Sequence, residues 1–175
     1  MKTTTLLAFT VACAGLLAGC GTMAPSGPSA TATLAPTTGN STTGTVRFAQ
    51  SGDRVRVMGE IRGLKPGAEH GFHVHEKGDC SSGDGMSTGG HFNPDAMPHG
   101  NFEGVVHHKG DLPSLRADTN GVAKFSFEST GIAVGTGATD VVGKGLIVHR
   151  DPDDYKTQPT GNAGPRLACA VIVKS

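Results

Sequence analysis

Apolar and polar positions alternate with period two along much of the chain. Val46 and Phe48 alternate with Thr45 and Arg47, and Val55, Val57, Gly59 and Ile61 alternate with Arg54, Arg56, Met58, Glu60 and Arg62. Ala123, Phe125 and Phe127 alternate with Lys124, Ser126 and Glu128 in the same way. Alternation of this kind gives an extended strand one apolar face and one polar face. Leu146-Ile147-Val148 and Ala170-Val171-Ile172-Val173 are short apolar runs, which suit strands buried on both sides or lying at a closing seam. Turn signals at Ser51-Gly52-Asp53, Lys65-Pro66-Gly67 and Thr119-Asn120-Gly121 separate the runs. The pattern predicts an all-β domain, an antiparallel sandwich or barrel of about eight short strands.

Two segments break the pattern, roughly 78–113 and 150–166. Both are predicted as long loops, and loops of that length in a compact domain are usually functional or disordered. They carry four of the eight histidines, and the two cysteines of the domain lie in them or beside them. Composition agrees with a strand-and-loop chain. Of 175 residues 27 are Gly and 10 are Pro, with no Trp, and both Gly and Pro disfavour helix interiors. Fifteen basic residues balance fifteen acidic ones, so no positive field exists to drive binding to nucleic acid, and no nucleic-acid partner is expected.

The first residues read as an export signal. Lys2 precedes an apolar stretch from Leu6 to Leu17, too short for a stable membrane span, which ends in the small residues of a cleavage region. Leu17-Ala18-Gly19-Cys20 resembles the bacterial lipobox, in which the Cys becomes the lipidated first residue of the mature chain; the bland alternative is an ordinary signal peptide with a chance Cys. The expected organisation is a signal peptide at 1–19, a lipidated Cys20 with a flexible tether at 20–29, and one domain at 30–175. That places the protein in the periplasm, anchored to a membrane of the cell envelope through Cys20. Cys13 leaves with the signal and Cys20 carries lipid, so Cys80 and Cys169 remain as a pair in an oxidising compartment. Their disulfide would close a loop of about 90 residues, worth on the order of 4 kcal/mol in the chain-entropy account.

Eight histidines in so neutral a chain are unusual. Phe72-His73-Val74-His75 puts two imidazoles on one face of a strand and two apolar side chains on the other. Taken alone, such an H-x-H is as readily an ordinary cross-strand pair as a metal site. His91, His99, His108 and His149 follow, with Asp111 close behind His108. Imidazole suits zinc and copper, and a carboxylate can complete a tetrahedral zinc site. Seven candidate ligands exceed one site.

The segments GFHVHEKGDC, GGHFNP, HKGDLP, GLIVHR and GNAGPRLAC, in this order from Gly71 to Cys169, resemble the copper/zinc superoxide dismutase family, and the strand pattern from about Ala30 to Val173 is similar as well. The resemblance implies a Greek-key barrel with two functional loops, and superoxide as substrate. It implies copper held by His73, His75, His91 and His149, and zinc held by His91, His99, His108 and Asp111. His91 then bridges the two metals and takes part in proton transfer. Asp153 matches a carboxylate that hydrogen-bonds one ligand of each metal, Arg166 matches a guanidinium beside the copper, and Cys80 with Cys169 matches the family disulfide. His70 corresponds to a structural hydrogen bond in the barrel, and His107 reads as a solvated loop residue. Lys109, Lys144, Arg150 and Lys156 could steer an anion but read more readily as solubilising charge, with only Lys156 balanced between the two.

This chain departs from the family pattern in a longer Ser/Gly stretch between Cys80 and His91, a shorter 149–166 loop, and the lack of the usual guiding lysine there. Every ligand position is intact, so the expected function is superoxide dismutation that protects the cell envelope. The competing classes are a non-enzymatic copper or zinc buffer, which would lose part of the ligand set or the arginine, and a metal-free adhesion module, which leaves seven convergent ligands without a role. Monomer and homodimer are both open.

Overall fold

The computed structural model of the chain describes residue 1 and residues 27–175; the expected signal peptide, Cys20 and most of the expected tether lie outside the described residues. Ten strands follow in order: β1 (Ser29–Pro36), β2 (Thr43–Ser51), β3 (Arg54–Arg62), β4 (Glu69–His70), β5 (Phe72–His75), β6 (Leu115–Arg116), β7 (Ala123–Ser129), β8 (Gly145–His149), β9 (Arg166–Val171) and β10 (Val173–Lys174). One short 3-10 turn, Met86–Thr88, interrupts the first long loop. Among the described residues no helix is long and apolar enough to cross a membrane.

The main sheet runs β5-β8-β9-β1-β2-β3-β7, with β10 added beside β1 and a separate β4-β6 pair. All of these strand pairs are antiparallel. Because β3 pairs with β7 and not with β4, the chain leaves the meander and returns, as a Greek key requires. The two ends of the curled sheet meet through Phe72 of β5 and Phe125 of β7, whose rings pack edge to face with centroids 5.4 Å apart.

The alternation in the sequence decides which side chains enter. Val46 and Phe48 of β2 and Val55, Val57 and Ile61 of β3 are fully buried, while Arg47, Arg54, Arg56 and Arg62 face out. Small residues on β1, Ala30 and Ala32, leave room for Phe48 and Phe72 inside the barrel. Leu146, Ile147 and Val148 are all buried, as the unbroken apolar run of β8 predicts. Val173 departs from the second run: the ladder of β9 stops at Val171, and β10 turns to pair with β1, leaving Val173 exposed.

Turns form where the sequence signals them. Ser51 pairs with Arg54 across a two-residue hairpin loop, and Gly52 takes the positive φ that suits strand twist there. Lys65-Pro66-Gly67 closes with Ala68 N–H donating to Lys65 O at 3.1 Å, Pro66 at the position that wants its fixed φ and Gly67 at the one that wants φ positive.

Three long loops remain among the described residues, 76–114, 130–144 and 150–165, and the first and last of them pack against β5 and the end of β8. The first is fastened to β9 by the Cys80–Cys169 disulfide, which joins residues 89 apart in sequence. The strand core and the first and last of these loops match the expected architecture, with β1 starting at Ser29 on the edge of the expected tether.

Candidate metal centre

β5 holds the centre of the site. Its apolar residues Phe72 and Val74 point into the core, and His73 and His75 point out of the barrel wall yet are fully buried, because the first long loop lies over them. The backbone of Val74 ties that loop down: its N–H donates to Gly110 O at 2.9 Å and its carbonyl accepts from Phe92 N–H at 2.8 Å. Gly110 has to be glycine, since a Cβ there would lie 2.2 Å from Val74 O. These bonds bring His91 opposite His75, and Asp111 opposite His73. β8, paired with β5 on its other side, ends at His149.

Two groups of four ligand atoms result. His73, His75, His91 and His149 form one, and His91, His99, His108 and Asp111 form the other. In each group the ligand atoms lie within 4.8 Å of one another, and all seven residues are buried.

In the first group every ring has one nitrogen committed. His73 Nε2 donates to Asp153 Oδ2 at 2.7 Å, His75 Nδ1 to Gly89 O at 2.9 Å, and His149 Nδ1 to Gly164 O at 3.1 Å. His91 Nδ1 lies 2.7 Å from Asp111 Oδ1. The opposite nitrogens, His73 Nδ1 and the Nε2 atoms of His75, His91 and His149, are buried without any hydrogen-bond partner. Oxygen acceptors outside the groups thus fix the tautomers of His73, His75 and His149, and with His91 Nε2 four lone pairs converge on one point, an arrangement that fits a metal and nothing within the protein.

In the second group Asp111 Oδ1 lies 2.7, 3.0 and 3.3 Å from Nδ1 of His91, His99 and His108. His108 Nδ1 and His91 Nδ1 are 3.4 Å apart. Tetrahedral zinc with bonds of about 2.0–2.1 Å spaces its ligand atoms about 3.3 Å apart, so this set fits zinc closely. Asp111 Oδ2 is held separately by the N–H groups of Gly100 and His108, at 3.1 and 2.8 Å.

Asp153 joins the groups. Its Oδ2 accepts from His73 and its Oδ1 from His99 Nε2 at 2.9 Å. Gly161 makes this approach possible, because a Cβ there would meet Asp153 Oδ1 at 1.9 Å. Gln158 pins the same neighbourhood: its Oε1 accepts from His99 N–H at 2.8 Å and its Nε2 donates to His99 O at 2.9 Å.

Arg166, at the start of β9, lies half-buried beside the first group. It shares the Gly89 carbonyl with His75, Nη2 donating at 2.8 Å, while Nη1 donates to Gly85 O at 2.5 Å and Thr88 Oγ1 at 2.6 Å. Burial lowers its pKa from the usual arginine value.

The other histidines and cations are held elsewhere. His70 is buried and donates from Nδ1 to His149 O at 2.9 Å, and His107 is half-buried with Nδ1 2.6 Å from His108 O. Lys109 pairs with Asp95, Lys144 with Glu76 O and the Phe92 ring, and Arg150 with Asp151, leaving Lys156 on the exposed surface. The sequence reading did not single out Thr88, Gln158, or the carbonyls of Gly89 and Gly164. The Gly89-Gly90 and Gly161-to-Gly164 stretches were the available sign of close backbone approach.

Burial holds His73 below the usual imidazole value of 6.5 against the pull of Asp153, and pushes His75 and His149 well below it. Burial lowers His91 to about 4, and its bond to Asp111 offsets only part of that. For His99 burial also acts downward, but hydrogen bonds to Asp111 and Asp153 raise it to about 9. Burial acts upward on Asp111 and Asp153, but their histidine partners hold both well below the carboxylate range. Neutral rings on the first group and ionised carboxylates are the states that bind cations.

These shifts set the pH response of the metal-free protein. His91 titrates at about 4 when folded and near 6.5 when unfolded, so the unfolded chain takes up that proton first as pH falls. The corresponding stability is present above about pH 6.5 and lost on the way down through pH 4, by about 3 kcal/mol. His99 acts oppositely: its raised value stabilises the fold below about pH 6.5, and that contribution is lost as pH rises through about 9. Urea unfolding of the metal-free protein should therefore give its highest midpoint near pH 6.5 and fall on both sides. A midpoint unchanged between about pH 7 and pH 4.5 would contradict the buried neutral rings.

Known proteins give the same picture. The family described as copper/zinc superoxide dismutase matches residues 42–172. The protein named superoxide dismutase [Cu-Zn] of Paramecium bursaria Chlorella virus 1 is 43% identical over 135 residues, covering 74% of this chain and 71% of its own. Superoxide dismutase [Cu-Zn] 2 of Brassica juncea is 43% identical over 136 residues, covering 74% of this chain and 88% of its own. Among solved structures, the clock protein EA4 superposes with a TM-score of 0.76 at 39% identity, over 83% of this chain and 93% of that one.

Proposed function

Because the chain belongs to the copper/zinc superoxide dismutase family, we propose that His73, His75, His91 and His149 hold its copper and that His91, His99, His108 and Asp111 hold its zinc. The protein is a copper/zinc superoxide dismutase, an oxidoreductase that converts superoxide to oxygen and hydrogen peroxide. The observation that carries the assignment is the set of four converging imidazole nitrogens without a hydrogen-bond partner. Copper, when bound, supplies the one-electron couple for the two half reactions, and zinc supplies a fixed dication.

The chain's own residues do the rest. His91 reaches both groups through its two nitrogens; with Nδ1 fixed on the Asp111 side, Nε2 is the ring atom free to hold or release a proton toward the substrate. Asp153 orients one ring of each group and so couples their geometry. Arg166 places a permanent positive charge beside His75 and His149, where a small anion must arrive, and its contribution is preorganised electrostatics. Close packing around the rings keeps bulk water from competing for the nitrogens.

Leu17-Ala18-Gly19-Cys20 supports a lipid-anchored protein of the periplasm that removes superoxide at the cell envelope.

Two experiments test these assignments. Arg166→Glu should load both metals yet lose activity per copper by roughly tenfold to a thousandfold at low ionic strength, and the parent's rate should fall with added salt. Equal activity per copper in the variant and the parent would remove Arg166 from the mechanism. Cys20→Ala should release the mature protein from the membrane fraction or leave it uncleaved; unchanged fractionation and mass would refute the anchor.

A further inference from the structure

Thr88 ends the 3-10 turn Met86–Thr88, and its side chain is completely buried. Its two sides face different partners. The methyl group rests on β8, where a Cβ added to Gly145 would lie 2.9 Å from Thr88 Cγ2. The hydroxyl donates to Gly85 O at 2.9 Å, which turns its lone pairs to Arg166 Nη1 at 2.6 Å. Gly85 also lies under the arginine stem, since a Cβ there would meet Arg166 Cδ at 3.2 Å.

The guanidinium has five N–H donors, and three of them are taken, by Gly85 O, Thr88 Oγ1 and Gly89 O. Two of these acceptors are backbone carbonyls, which any residue could supply. The Thr88 hydroxyl is the one side-chain acceptor of the three. The hydroxyl's own bond to Gly85 O fixes its direction, so it offers the arginine a set acceptor.

We propose that Thr88 is a positioning residue for dismutation, which holds the Arg166 guanidinium at the angle that presents its remaining N–H groups to a small monoanion. It touches neither the ligand nitrogens nor the anion, and acts through Arg166 alone. The inference rests on the reading of Arg166 as the anion-attracting charge. Valine at this position keeps the shape but puts a methyl group where Nη1 now finds an acceptor, so the guanidinium must turn. Serine keeps the acceptor.

The test uses full-length protein loaded with copper and zinc: the parent, Thr88→Val, Thr88→Ser, Arg166→Ala, and Thr88→Val combined with Arg166→Ala. Metal content and the thermal midpoint are measured for each, and azide, a small monoanion that ligates cupric copper, is titrated by visible absorption. Thr88→Val should weaken azide binding by about tenfold, the scale of a lost hydrogen bond to a charged group. Thr88→Ser should stay within about twofold of the parent, and Thr88→Val should add nothing in the Arg166→Ala background. A role confined to stability would lower the midpoint of Thr88→Val while leaving azide affinity per copper at the parent's value, and that result would overturn the proposal. So would an equal loss in Thr88→Ser, or the same loss with and without Arg166. If Arg166→Ala itself binds azide as the parent does, the anion role of Arg166 falls and the proposal with it. Weakened binding in Arg166→Ala beside parental binding in Thr88→Val refutes Thr88 alone.

Discussion

Four buried imidazole rings, each with one nitrogen bound to an oxygen and the other bound to nothing in the protein, set the terms for this structure. A buried polar group without a partner costs about 1–3 kcal/mol. A cation at the convergence point offsets that cost at all four rings together, so the metal belongs to the stability of the fold as well as to its chemistry. The same burial keeps the rings neutral and their lone pairs available.

The architecture works to maintain that condition. The barrel supplies β5 and β8, rigid strands that carry three of the four rings. Loop 76–114 supplies His91 and the second group, tied to β5 by the backbone of Val74 and to β9 by the disulfide. Loop 150–165 supplies Asp153, the Gly164 carbonyl and the Gln158 clamp on His99. Since Asp153 contacts one ring of each group, a change in the second group reaches the first through one carboxylate. The Gly89 carbonyl makes a second link, holding His75 and Arg166 at once.

Much of this was legible in the sequence, for definite reasons. β2, β3 and β7 expose one face, so period-two alternation marks them, and the turn at Ser51-Gly52-Asp53 fixes the register of β2 on β3. The ligands stand out because His73 and His75 share a strand face, His149 ends the apolar run of β8, and His91, His99, His108 and Asp111 crowd into one loop; the division into two sets and the role of Asp153 came through the resemblance to the family. What stayed hidden lies mostly in the backbone. The Gly89 and Gly164 carbonyls that fix two tautomers leave no mark on residue type. Thr88 and Gln158 matter through partners 78 and 59 residues away, and no local pattern reports such a contact. The two-residue strands β4 and β6 are too short to show a period. Val173 misled because an apolar run does not reveal where a ladder passes to a new partner.

The central claim is that His91 serves both metals, one through each nitrogen. Copper and zinc should be counted in purified His91→Ala, beside His149→Ala and His108→Ala, each reconstituted with both metals and freed of loosely bound ions. His149→Ala should lose mainly copper and His108→Ala mainly zinc, while His91→Ala should be deficient in both. Full copper and zinc occupancy in His91→Ala would contradict the shared-ligand account.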